Sequence, residues 1–193
     1  IMYSHVSLAR VMRPVRARLA LVPASIDLAT SEIQLAGVAD RAHRLSQSLQ
    51  RSRIPFDFVL IDTPPGLGIL TANGLVAADE VLIPVQCQYL AMRGVRALMD
   101  TVVRVKNNLN GSLRLAGLFG TMYRPESKHA QEVVDELRAV FGPKMFPTLI
   151  HFDDVVAEAP VVGLSVLEYI PSHPVAQDYR TLAEEITVER DEG

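Results

Sequence analysis

The sequence predicts an α/β fold, a mostly parallel sheet with helices on both faces. Short runs rich in β-branched and aromatic residues recur along the chain. Stretches with helical spacing separate them, each long enough to cross over between parallel strands. One run, residues 56–61, is apolar except for Asp57, and it is too short for a helix of ~10 residues. A run apolar on both sides of the pleat reads as a strand buried on both faces. It ends at Asp62 and a Thr63-Pro64-Pro65-Gly66 turn, at the carboxyl end of a strand, where open α/β sheets bind ligands.

The elements follow in order. Residues 4–18 place Val6, Ala9, Met12 and Val15 at helical spacing among arginines, with Pro14 breaking the helix near its end. Residues 19–22 predict a short strand. Over 30–51, Leu35, Ala39, Ala42, Leu45 and Leu49 recur every three or four positions, which predicts one amphipathic helix with Asp27, Thr30 or Ser31 to cap it. After the 56–61 strand come a small-residue helix over 69–78 and a buried strand over 81–85. A helix over 92–107 turns Val95, Leu98, Met99, Val102 and Val105 inward and ends in an Asn/Gly-rich stretch that accepts positive φ. In a strand over 115–122, Gly117 and Gly120 suggest close backbone approach. A helix over 129–141 stops at Gly142-Pro143. A last strand over 145–150 holds Pro147, which favours an edge, and a last helix covers 175–188. No repeat or linker intervenes, so residues 1–193 read as a single α/β domain.

Composition narrows the function classes. The chain is 49% hydrophobic and 21% charged, ordinary for a globular protein and unlike a disordered one. With a net charge of −3, any nucleic-acid contact needs a local basic patch. The single cysteine, Cys87, excludes an internal disulfide and a site built on paired cysteines. It fits a reducing cytosol. No apolar run approaches the ~18 residues that span a bilayer. The arginines before residues 19–25 mimic a signal peptide, but the apolar part is too short and soon meets Asp27. Histidines 5, 43, 129 and 173 show no metal-ligand spacing, and neither a G-x-S-x-G elbow nor a Cys–His pair supports covalent hydrolysis.

Asp62 itself has two readings, a ligand to Mg²⁺ beside a phosphate or a cap for the following helix. The residues around it carry a resemblance. Asp62-Thr63-Pro64-Pro65-Gly66, the segment 73–85 with Ala77-Ala78-Asp79-Glu80-Val81-Leu82-Ile83-Pro84, and Tyr89-Leu90-Ala91-Met92-Arg93-Gly94-Val95 resemble the ParA/Soj family of partition ATPases. Leu21-Val22-Pro23-Ala24-Ser25 upstream, and Gly120-Thr121-Met122-Tyr123 and Ala157-Glu158-Ala159-Pro160 downstream, match in the same order. The resemblance runs from about residue 19 to 186 and implies the P-loop NTPase fold of deviant Walker type.

That fold needs a glycine-rich loop whose amides and lysine hold phosphates. G-x-x-x-x-G-K-[ST] does not occur here: the lysines are Lys106, Lys128 and Lys144, and Met145 follows Lys144. The resemblance places that loop, and a second motif with a hydrolytic aspartate, upstream of Ile1. The 193 residues then correspond to the carboxyl-terminal two-thirds of the family, and residues 56–61 lose the strand that would lie beside them. The expectation is a fragment of a longer product, inactive alone; the alternative is a paralogue that has lost ATP binding.

The resemblance implies the following roles. Asp62 is the Walker B aspartate that places Mg²⁺ through water, and Thr63 and Pro64 open the switch segment that responds to the γ-phosphate. His151 and Asp153 stand where the family contacts the adenine of ATP, in place of its Pro and Asn, and a capping role for Asp153 stays open beside that one. Arg93, Arg104, Lys106, Arg124 and Lys128 are candidates for nonspecific DNA binding, or ordinary solvated charges. The implied function is an ATP-dependent homodimer that positions plasmid or chromosomal DNA in the cytoplasm, on the nucleoid, and is stimulated by a ParB-like partner. A membrane-bound relative would end in a basic amphipathic helix, and this tail is acidic. The second reading is a non-catalytic binding or scaffolding module.

Overall fold

The computed structural model describes every residue except 1, 3–5, 53, 65, 67, 89, 90, 192 and 193. The start of the helix expected over 4–18, Pro65 of the turn and the Tyr89-Leu90 match lie outside the described residues. The chain divides into two compact units, residues 1–80 with 100–114, and residues 81–99 with 115–193.

The first unit begins with one helical turn, α1 (Leu8–Val11). The expected longer helix is not formed. Arg13–Arg16 (β1) instead pairs antiparallel with Leu19–Leu21 (β2), Pro14 opposite Ala20. Proline lacks an N–H and has a fixed φ, so it ends the helix and suits an edge strand. The helix expected over 30–51 is also corrected. A 3₁₀ turn, Ile26–Thr30, leads into α2 (Ser31–Leu35), and the chain breaks before a second 3₁₀ turn, Arg41–His43, and α3 (Arg44–Ser52). Asp40 sits in the left-handed region at φ 55°, which a right-handed helix cannot contain. Thr30 stands at the cap position of α2 without capping it; its hydroxyl donates to the Asp27 carbonyl at 2.6 Å.

The largest correction concerns residues 56–61. They form no strand and are not buried: Phe58 is 51% exposed and Leu60 92%. A strand needs a ladder partner. The strands among the described residues pair β1 with β2, and the two introduced next with each other.

α4 (Ile69–Ala77) follows, then β3 (Glu80–Gln86), α5 (Ala91–Asn108) and β4 (Arg114–Thr121). β3 and β4 pair. Arg114 N–H donates to Asp79 O at one end and Cys87 N–H to Thr121 O at the other. Residue numbers therefore rise together, and the pair is parallel. After α6 (Lys128–Phe141), capped by Ser127, whose Oγ accepts from Ala130 N–H at 3.2 Å, residues 145–151 run beside β4. They are joined to it by parallel bridges Leu118–Met145 and Tyr123–His151 rather than by a full strand. α7 (Val155–Glu158), α8 (Val166–Tyr169) and α9 (Pro174–Asp191) complete the chain.

Alternation along these segments builds the layers of the second unit. Ile83, Val85, Leu118 and Met145 pack with Val95 of α5 and Val133 and Leu137 of α6. Leu82, Phe119 and Phe146, pointing the other way, pack with Val175, Ala176 and Leu182 of α9. Helices therefore cover both faces. Gly117 and Gly120 allow the close approach: a Cβ on Gly117 would stand 2.8 Å from Lys144 O, and one on Gly120 2.8 Å from Leu149 Cδ2.

Candidate functional site

Asp62 and Thr63 are exposed, directly after the irregular 56–61 stretch. The Asp62 carboxylate makes no ion pair among the described residues. Pro64 and Gly66 are exposed as well, so solvent reaches the turn from outside. From inside, it is held by α4. The Thr71 hydroxyl faces two turn carbonyls, Gly66 O at 2.5 Å and Pro64 O at 3.2 Å. Gly74 leaves the space beside Thr63: a Cβ there would lie 2.6 Å from Thr63 Cγ2.

α4 is fixed in turn by Asn73, only 1% exposed. Its Nδ2 donates to Arg41 O at 2.8 Å and Ile69 O at 2.9 Å, and its Oδ1 accepts from Leu45 N–H at 3.2 Å. A buried amide with both N–H groups and its oxygen engaged fixes position strongly, because leaving one unmade is costly. Sequence reading did not assign roles to Thr71 and Asn73. The signal was two polar residues inside an otherwise small and apolar helix.

In the second unit, His151 and Asp153 meet partners that periodicity does not show. His151 Nδ1 lies 2.9 Å from Asp178 Oδ2, which also accepts from the His151 backbone N–H at 3.1 Å. Tyr123 stands edge-on to the His151 ring, 5.6 Å between centroids. Asp153 Oδ1 accepts from Val155 N–H at 3.0 Å, and Oδ2 lies 3.6 Å from His173 Nε2. Beside Asp178, Tyr179 is pushed above its usual range, first by burial and then by the Asp178 charge. Phe152 carries the Arg124 guanidinium over its ring at 3.6 Å, so this arginine is oriented rather than loose.

Arg93, Arg104 and Lys106 are exposed along α5, and Lys128 opens α6. Arg104 Nε donates to Asp100 O at 3.3 Å within its own helix. No helix among the described residues is long and apolar enough to cross a membrane.

Parallel segments covered by helices on both faces define the class, an α/β protein. A family model described as an AAA domain matches residues 2–115. The chain is 45% identical over 165 residues to the chromosome-partitioning ATPase Soj of Treponema pallidum, covering 86% of this chain and 65% of that one. It is 40% identical over 174 residues to the chromosome partitioning protein ParA of Caulobacter vibrioides, covering 89% and 65%. A crystal structure named cobyrinic acid a,c-diamide synthase from Mycobacterium smegmatis, with bound ATP analogue and magnesium, superposes with a TM-score of 0.73 at 31% identity over 83% of this chain and 69% of that one. The chain belongs to the ParA/Soj family of partition ATPases. It spans just under two-thirds of the length of these curated relatives.

Proposed function

We propose that the protein carrying this chain is a ParA-type ATPase that partitions or positions DNA. The observation that carries the reading is Asp62, an exposed carboxylate after the irregular 56–61 stretch, in a chain similar over 86–89% of its length to partition ATPases. A hard oxygen donor with no described partner fits Mg²⁺, directly or through water. Thr63 and Pro64 would stand on the side of the γ-phosphate. The nucleotide supplies a γ-phosphate open to in-line attack by water. This chain's residues hold the metal's place and order the turn that follows.

His151 and Asp153, the residues read as contacting adenine, are largely committed within their own unit. Both Asp153 oxygens already have partners, and His151 Nδ1 is taken by Asp178. His151 Nε2 is the atom of this pair left to meet an adenine edge. We further propose a homodimer, stimulation by a ParB-like partner, and a cytoplasmic, nucleoid-associated protein. Arg124, Lys128, Arg104 and Lys106 contact DNA phosphates in this reading. Such contacts are sequence-independent and weaken steeply with salt.

The test measures ATP binding and phosphate release by the full-length protein and its Asp62→Ala variant. A metal held through outer-shell contacts loses about 10- to 100-fold in affinity or activity when the contact is removed, and a loss in that range is expected. Unchanged phosphate release overturns the role of Asp62; absence of nucleotide binding by the parent favours the scaffolding reading.

A further inference from the structure

The first acidic residue of the chain is Asp27, and Arg10, Arg13, Arg16 and Arg18 all precede it, in a sequence whose net charge is −3. The fold gathers these arginines on α1 and the β1–β2 hairpin of the first unit. β1 is exposed at every residue, and Leu19 and Leu21 of β2 are 56% and 53% exposed. Asp57 lies 3.6 Å from Arg18, with both side chains almost fully in solvent, and an ion pair so exposed is weak.

Arg13 and Arg16 are three apart, and in a regular strand they point to opposite faces. The ladder sets Arg13 opposite Leu21, Pro14 opposite Ala20 and Arg16 opposite Leu19, so the register shifts between Pro14 and Arg16. Leu19 and Leu21, two apart on β2, share a face, and directly opposed residues share one too. The irregularity therefore turns both arginines to the leucine face and leaves Pro14 and Ala20 on the other. Bulges re-aim side chains in this way. Leucines at these positions offer apolar surface to the arginine stems, whose charged heads stay in water.

We propose that this face is a DNA-contact surface, on which Arg13 and Arg16, flanked by Arg10 and Arg18, meet the phosphates of duplex DNA. The proposal rests on the reading of the protein as one that positions DNA, and it adds residues apart from Arg104, Lys106, Arg124 and Lys128. No acidic residue lies between Arg13 and Leu21, so the hairpin's own side chains do not repel phosphate. A two-stranded ribbon, its strands about 5 Å apart, fits a major groove about 12 Å wide. The planar arginine fork binds phosphate oxygens in pairs.

The test is binding of a labelled random-sequence duplex by the full-length protein with ATP and Mg²⁺, followed by fluorescence anisotropy as salt is varied. Each phosphate contact adds about 0.9 to the slope of log K against log salt. Replacing both residues, Arg13→Gln with Arg16→Gln, is expected to lower that slope by about 2 and to weaken binding about 10- to 100-fold near about 0.1 M salt. Arg13→Lys with Arg16→Lys keeps both charges and holds the slope within about 0.5. Leu21→Glu, at an exposed position, sets a carboxylate opposite Arg13 and is expected to weaken binding as well. An unchanged slope in the glutamine pair, or equal losses in the glutamine and lysine pairs, overturns the proposal. So does a loss confined to vesicles of anionic lipid while duplex binding is kept. Should the glutamine pair fail to fold, Leu21→Glu decides alone, and unweakened binding overturns the proposal. A separate arm replaces Arg104 and Lys128 by glutamine. If that pair leaves the slope unchanged while the hairpin pair lowers it, the contacts assigned to α5 and α6 fail and the hairpin stands. A parent protein that binds no duplex overturns both.

Discussion

Cys87 shows how one side chain takes its chemistry from its surroundings. It is buried between β3 and α6, against Ala130 and Val134. Burial pushes the thiol above its usual value near 9.0, and a backbone hydrogen bond with Thr121 offsets only part of that. The folded chain thus holds the thiol proton at pH values where the unfolded chain releases it. Stability is full below the ordinary thiol value and is lost as pH rises from there toward the raised folded value. Unfolding midpoints followed above pH 9 are expected to fall, and Cys87→Ala removes part of that slope, Tyr179 retaining its own share. A maleimide is expected to react with Cys87 at least about tenfold more slowly than with a free thiol. Leu118, fully buried in β4, makes the packing counterpart. Leu118→Ala is expected to cost about 2–5 kcal/mol in urea unfolding, because Ile83, Val133 and Leu137 hold the cavity open from both the sheet and α6.

Among the elements, the segment after α5 is tied to the end of α4 by the Asn110 amide. Asn110 Nδ2 faces Leu75 O at 3.0 Å, Val76 O at 3.3 Å and Ala78 O at 2.8 Å. These carbonyls end a helix and have no intrahelical donor. Asn110→Ala is expected to destabilise by about 1–3 kcal/mol, with the earliest exchange at 75–78. Had Asn110 served only as a positive-φ residue closing α5, replacement by glycine would cost nothing. In this structure glycine fails like alanine, and comparing the two melts separates the roles.

At the scale of these 193 residues taken alone, the exposed 56–61 stretch is one apolar surface whose effect on association can be measured. Val59 and Leu60 present apolar surface, 51% and 92% exposed, the kind of surface that recruits a partner. Leu60 is the more exposed of the two, and the substitution to make is Leu60→Lys. It is expected to leave stability within about 0.5 kcal/mol while lowering concentration-dependent association, read by sedimentation velocity. Association unchanged by the lysine places the sticky surface elsewhere.

The sequence by itself determined the class of fold, because local period carries it. Residues 81–85, 115–122 and 129–141 alternate or repeat as their elements demand, and each lies within one residue of the observed β3, β4 and α6. It also marked the Asp62 turn as a candidate site, since an aspartate before Pro-Pro-Gly is a local signal. Tertiary structure decided the rest. Residues 56–61 have strand composition, but a strand exists only where a partner supplies the other half of its hydrogen bonds. The helical spacing over 30–51 is real, but Asp40 turns left-handed and breaks it. His151 faces Asp178 and Asp153 faces His173 across about 20 residues or more, and Thr71 reaches back to the turn. Such pairings join groups distant in sequence, and periodicity, a property of neighbours, holds no record of them.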